Sequence, residues 1–476
     1  MELALRPACE LRELIVRREV SPVEVVEACM AQIDAHNGAI NAICTLSDRA
    51  LDDAREAEQA LAGGAETPPL LGLPVGIKDV TPVAGLRTTY GSPLYADHVP
   101  EEDALVVERL RRAGAIIIGK TNAPEFATGG NTFNELFGAT RNPWNLKLSA
   151  GGSTGGGAAG LASGMMALAE GTDLGGSLRI PASFCGVTGL RPSTGLVPTY
   201  PSDFLWDTMQ VTGPMARTAE DVALMLQAVA GPSRRSPLCQ PTAGRDFVAA
   251  VRAGIGKGLR VAYCGDVAGI GIDEEIQQIC RAAAFEMAQA GAVVEEVELD
   301  LSFGWQAFLA IRGLWMVTQQ FPRLDKLDAF GPNLGANVRA GLKITTEQIG
   351  AAENVRGRMW EICRDLLERF DQLLTPCMAV SPFPVEQNYP ETIAGKKMET
   401  HIDWVAPTFI LSLTGLPVAS VPCGLDASAL PVGLQVVGGP RSEESVLALA
   451  QQVQEANPIG LPPIRSEHRR RSSLPR

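Results

Sequence analysis

Histidine is scarce in this chain. Four occur in 476 residues, with no HExxH run and no close pair, so the imidazole set of a catalytic zinc site is missing. Ten cysteines are scattered without a CxxC pair, a pattern of free thiols in a reducing compartment rather than of a disulfide framework. Positive charge is in deficit too: 41 Lys and Arg face 54 Asp and Glu, a formal charge of −13. Such a surface repels a phosphate backbone on average, which argues against nonspecific nucleic-acid binding. The one basic run, His468-Arg469-Arg470-Arg471, falls in a polar segment, residues 466–476, expected to be a disordered tail. No stretch approaches the roughly 20 apolar residues that span a bilayer, and Met1–Arg6 has no basic region leading into an apolar one. The expectation is a cytoplasmic protein with no membrane or nucleic-acid partner, no metal and no organic cofactor.

Glycine, by contrast, is plentiful, and its placement is the strongest signal. Gly151-Gly152-Ser153-Thr154-Gly155-Gly156 is followed by Gly171-Thr172-Asp173-Leu174-Gly175-Gly176-Ser177-Leu178-Arg179-Ile180-Pro181. Ser153 and Ser177 thus sit in two glycine-rich turns 24 residues apart, a gap suited to a short small-residue helix. Glycines let backbone N–H groups crowd around a reacting carbonyl, and a serine ending such a turn presents its hydroxyl to them. Taken singly, each serine could be a helix N-cap, and Lys78 beside Asp79 could be a surface ion pair.

Hydrophobic residues at 46% and charged ones at 20% fit a soluble globular protein with a large core. Ser21-Pro22-Val23-Glu24 reads as a capping box with proline at the first helical position. Short apolar runs at Leu73–Ile77 and Ala115–Ile118 suit strands buried on both faces, with a charged helical pattern at Asp103–Ala113 between them. Gly155–Ala169, rich in small residues, reads as a helix pressed against a sheet. Further strands are expected at Arg260–Tyr263, Gln372–Thr375, Ala419–Val421 and Val432–Val437, with helices at Asp273–Ala290 and Glu443–Glu455. The alternation predicts a single large α/β/α domain over residues 1–465, its central mixed sheet covered by helices on both faces. Aromatic, methionine-containing helical sequence from Ser302 to Arg358 interrupts the rhythm.

Two motifs mislead. Gly114-Ala115-Ile116-Ile117-Ile118-Gly119-Lys120-Thr121 matches GxxxxGK[ST] letter for letter. A phosphate loop must be a turn, whereas Ala115–Ile118 reads as strand. Gly151–Gly155 also fits the GxSxG elbow, but that reading needs a later histidine, and only His401 and His468 qualify.

Read with Lys78 in Gly76-Ile77-Lys78-Asp79, these segments resemble the amidase signature family, serine hydrolases with a Ser–cis-Ser–Lys triad. The dense motif core runs from about Leu73 to Pro214, and Gly415–Pro422 with Gly433-Leu434-Gln435 matches the C-terminal part. The resemblance implies Ser177 as nucleophile, Ser153 as bridging serine after a cis Gly152–Ser153 bond, and Lys78 as base. It also implies an oxyanion hole from the backbone N–H groups of Leu174, Gly175, Gly176 and Ser177. For Lys78 to accept a proton, burial must lower its pKa toward the working pH, and Leu73–Ile77 supplies an apolar setting. Asp173 and Arg179 are expected to brace the nucleophile turn. Two positions depart from the commonest pattern: Thr154 replaces the second serine of GGSSGG, and Leu174 stands where DTGGS has threonine.

By resemblance, residues 302–358 shape the substrate cleft and Gly129-Gly130-Asn131 lines it. Phe204, Trp206, Trp315 and Trp404 are further candidate walls. With no clear charge cluster in these segments, the expected substrate is a small neutral aryl or alkyl amide, with esters and carbamates open to the same chemistry. The rival is the glutaminase subunit of a tRNA-dependent amidotransferase. Those subunits usually read Ser-Ile-Arg-Gln-Pro where this chain has Ser177-Leu178-Arg179-Ile180-Pro181. Homodimers are common in the family, though no segment announces an interface.

Overall fold

The computed structural model describes residues 2–64 and 66–464; the tail expected at 466–476 lies outside them. Its strands are β1 (Ile43–Leu46), β2 (Pro74–Lys78), β3 (Ile116–Thr121), β4 (Leu168–Asp173), β5 (Thr188–Arg191) and β6 (Val211–Ala216). They are followed by β7 (Arg260–Tyr263), β8 (Val293–Glu296), β9 (Gln372–Pro376), β10 (Val418–Leu425) and β11 (Pro431–Gly438). These eleven form one sheet in the order β1-β3-β2-β4-β6-β5-β10-β11-β9-β7-β8. It is mixed: β2 runs parallel to β3 and β4, and β7 to β8 and β9, while β5, β6, β10 and β11 pair antiparallel with their neighbours.

Side chains alternate between the two faces of a strand, and both faces are covered. Val75, Ile77, Leu434 and Val436 pack beneath helices Leu105–Arg112, Ala219–Val229, Glu274–Glu286 and Glu443–Ala456. On the other face, Ile116, Ile118 and Ala169 meet helices Pro22–Ile40 and Gly155–Ala162, while Val418 and Val437 join the cluster of Trp305–Gln320 and Thr346–Arg369. The layering is the α/β/α arrangement expected. The Pro22–Ile40 helix begins with the anticipated box: Glu24 N–H donates to the Ser21 hydroxyl at 3.1 Å and Ser21 N–H to the Glu24 carboxylate at 2.8 Å.

The helix expected over Gly155–Ala169 stops at Ala162. Gly164 takes φ +72°, the left-handed conformation that ends helices and favours glycine. The apolar residues beyond it turn into β4, a central strand. Close packing of the shortened helix depends on its glycines: a Cβ on Gly156 would stand 2.4 Å from Asn122 N and 2.5 Å from Ala42 O. Backbone cannot yield as a side chain does, so Gly156→Ala is expected to destabilise the fold by about 1–3 kcal/mol in chemical denaturation.

Among the described residues no helix is long and apolar enough to cross a membrane. All ten cysteines are free, and Cys185 is a buried thiol, its pKa pushed up by burial.

Candidate active site

Parallel pairing of β2 with β4 brings the C-terminal ends of both strands to one edge of the sheet. Lys78 ends β2 and is fully buried, so it is no surface ion-pair residue. Its Nζ lies 2.7 Å from Ser153 Oγ, 3.0 Å from Thr172 Oγ1 and 3.5 Å from the Thr172 carbonyl. Asp79 turns away to accept from the Thr89 N–H, at 3.1 Å, and the Thr89 hydroxyl. Burial lowers the Lys78 pKa to about 7, against the opposing pull of the Glu170 and Asp173 carboxylates. A neutral amine there can direct two N–H groups at the oxygens of Thr172 and its lone pair at Ser153. Glu170 is itself buried in β4, where it accepts the Lys78 backbone N–H at 3.1 Å and the Thr81 hydroxyl at 3.0 Å. Desolvation raises its pKa.

Ser153 precedes the Gly155–Ala162 helix, and its peptide bond with Gly152 is cis. Thr154 N–H donates to the Ser177 carbonyl at 3.2 Å, tying the two glycine-rich turns together. Ser153 and Ser177 line the same cavity, of about 50 Å³. No hydrogen bond joins their hydroxyls among the described residues.

The turn carrying Ser177 is built on Asp173. Its carboxylate accepts from Gly176 N–H at 2.8 Å, Leu178 N–H at 3.2 Å, Arg179 Nε and Nη2 at 3.0 Å each, and Arg191 Nη1 at 3.3 Å. Burial alone would raise its pKa, but the two guanidiniums and these hydrogen bonds hold it well below the usual carboxylate range. Arg179 extends the brace to Gln435 Oε1 and the Thr408 carbonyl, both at 2.9 Å, and to Ser412 Oγ at 2.6 Å. Because its N–H is engaged by Asp173, Gly176 drops out of the four expected oxyanion donors. The N–H groups of Leu174, Gly175 and Ser177 have no partner among the described residues. Gly176 itself has φ +123°, and a Cβ there would come within 2.2 Å of Thr408 Oγ1. Asp173→Asn would leave two buried guanidiniums without their counter-charge, and a loss of about 3–5 kcal/mol in unfolding free energy is expected.

Of the candidate walls, Gly129, Gly130 and Trp315 line the cavity at Ser177, with Leu174, Ile180, Phe308, Met316, Ile402 and Val405. Four candidates lie elsewhere. Asn131 is buried with its amide directed at Val385 O and Gln387 O and its carbonyl at Ser149 Oγ. Trp404 is 0% exposed, in the core between Phe184 and Phe383; it lies behind Gly130, where any added Cβ would stand 2.6 Å from its ring. Phe204 borders a different cavity, and Trp206 is 69% exposed. The cleft is also not free of charge, because Arg312 reaches the Ser177 cavity, beside His401. Thr172, Gln210 and Trp315 are shared with an adjoining cavity of about 230 Å³ lined by Tyr90, Phe126, Tyr200 and Arg323.

Thr172, Glu170, Arg191 and Thr408 escaped the sequence reading. The first two are motif neighbours of Asp173, and the alternation of β4 was the signal that could have found them. The GxxxxGK[ST] lysine, Lys120, is a buried strand residue donating to Thr88 Oγ1 at 3.0 Å and to the Thr81 carbonyl. His401 sits in the cavity, yet its Nε2 faces Asn337 at 3.0 Å rather than a carboxylate, unlike the histidine of a Ser–His–Asp set.

The chain is 35% identical over 459 residues to an acylamidase of Rhodococcus erythropolis, covering 95% of each sequence. It is 33% identical to a glutamyl-tRNA(Gln) amidotransferase subunit of Roseiflexus sp. (strain RS-1), covering 94% of this chain and 95% of that one. Its fold superposes on the crystal structure of a bacterial aryl acylamidase of the amidase signature family with a TM-score of 0.88 at 29% identity, over 96% and 97% of the two chains. The family model described as Amidase matches residues 24–447, and with that match spanning the sheet and both serine turns, the chain belongs to the amidase signature family of amide-hydrolysing enzymes.

Proposed function

We propose that the protein is a stand-alone amidase that cleaves linear aryl or alkyl amides through an acyl-enzyme on Ser177. The observation that carries this is the buried Lys78 amine, 2.7 Å from Ser153 Oγ at the wall of the Ser177 cavity. Ser177 gives its proton to Ser153 as it attacks the carbonyl, and Ser153 passes its own to Lys78. The oxyanion is met by the N–H groups of Leu174, Gly175 and Ser177, each such donor contributing roughly 2.7–4 kcal/mol to transition-state stabilisation. The C–N bond then breaks, the amine leaves with the relayed proton, and water releases the acid by the same route. Asp173 and Arg179 fix the turn without touching substrate.

Aromatic and aliphatic walls in both cavities support an aryl or alkyl group on the substrate. Esters and carbamates present the same carbonyl and are expected as secondary substrates. For the glutaminase alternative, the described residues lining the cavity at Ser177 include no carboxylate to meet the ammonium of glutamine, and Asp203 belongs to the adjoining cavity. The test is turnover by the isolated chain of anilides, alkyl amides, esters, carbamates and glutamine. Anilide or alkyl amide hydrolysis without glutamine hydrolysis is the expected result, whereas glutamine as the preferred substrate would favour the amidotransferase reading.

A further inference from the structure

Arg312 is the only Arg, Lys, Asp or Glu among the described residues lining the Ser177 cavity. It is 7% exposed, and among the described residues its side chain makes one hydrogen bond, from Nη1 to Asn337 Oδ1. A second cavity flanks it, lined by Gln306, Asn337 and Gln348 but by no acidic residue. Burying a cation without a counter-charge is costly, and a guanidinium has five N–H donors. Four of these have no protein partner among the described residues. Burial lowers its pKa to about 10, so it stays charged at neutral pH.

His401 lines the same cavity and is tied to Arg312 through Asn337. Arg312 can only donate, so the Asn337 oxygen faces it and the Asn337 amide Nδ2 faces His401 Nε2, which must accept. The proton of the neutral ring is then on Nδ1. Burial and the Arg312 charge hold the His401 pKa down to about 4, which keeps the ring neutral.

We propose that Arg312, supported by His401, forms a carboxylate subsite of the Ser177 cavity, so that the preferred amide carries a carboxylate on the part that reaches this wall. This rests on Ser177 being the nucleophile. A guanidinium fork matches the two oxygens of a carboxylate, and the other described residues lining this cavity offer no competing charge. The substrate class is then a mono-amide of a dicarboxylic acid, or an amide whose amine portion is an amino acid.

Two matched pairs distinguish these sources: succinanilate against 4-methylpentananilide for the acyl side, and 4-acetamidobenzoate against 4-isopropylacetanilide for the amine side. In at least one pair the wild type is expected to favour the carboxylate in kcat/KM by at least about tenfold, as for a charge-assisted hydrogen bond. Arg312→Gln should bring that ratio to about one, chiefly through KM, and Arg312→Lys, which keeps the charge and loses the fork, should give an intermediate ratio. Ser177-dependent turnover with no carboxylate preference in either pair overturns the subsite and leaves the amidase intact. Turnover that survives Ser177→Ala overturns the nucleophile assignment and the subsite with it. The wild-type comparison stands even where a variant fails to fold.

Discussion

Ser177→Ala is expected to lower kcat/KM for any amide the enzyme cleaves by at least about 10⁴-fold, the scale on which loss of a serine nucleophile is felt. The same substitution should leave stability within about 0.5 kcal/mol of wild type, as surface changes usually do. Both halves follow from the position of this side chain. Its hydroxyl is partly exposed to the cavity and bonds no other group among the described residues, so its removal orphans nothing in the core. The turn that presents it is held instead by Asp173, Arg179 and Thr408. Steady-state kinetics beside thermal denaturation of the same preparation checks the pair. Activity retained would mean another nucleophile; activity and stability lost together would mean that the hydroxyl supports the fold.

Lys78→Met is expected to lower kcat/KM by at least about 10³-fold, and the wild-type pH profile should show why. A base acts when deprotonated, so kcat/KM should rise roughly tenfold per pH unit below about 7 and level off above it. The stability linkage has its own sign. The folded pKa is depressed from 10.5 to about 7, so between those values the unfolded chain binds more protons than the folded one. Unfolding free energy therefore gains from this group as pH rises through that window. Lys78→Met should remove that contribution together with the acid limb of the rate profile. An acid limb that persists in the residual activity of the variant would assign the titration to another group.

Much of the site was legible because its chemistry lies in two contiguous turns. Gly151–Gly156 and Gly171–Pro181 place each serine by local backbone geometry, and Lys78 follows a short apolar strand that predicts its burial. The ladder of β4 was less legible: its small residues continue those of the preceding helix, and only Gly164 marks the break. The cleft walls were the least legible. Trp315 faces the cavity and Trp404 fills the core, and the difference lies in how each segment packs against distant parts of the chain, Trp404 between Phe184 and Phe383.

What the sequence by itself determined was the family, the layered α/β architecture, and the choice of Lys78, Ser153 and Ser177 as the residues proposed to carry the chemistry. Turn geometry, strand burial and capping are set by residues near one another in the chain. Only the tertiary structure decided that the Gly176 N–H belongs to Asp173, that Thr172 flanks the lysine, and that Arg312 and His401 enter the pocket. These depend on strand register, parallel pairing of β2 with β4, and the packing of the Trp305–Gln320 helix, which lies far beyond Ser177 in the chain. Such relations are fixed by the excluded volume and hydrogen-bonding demands of the whole core, which no local segment encodes.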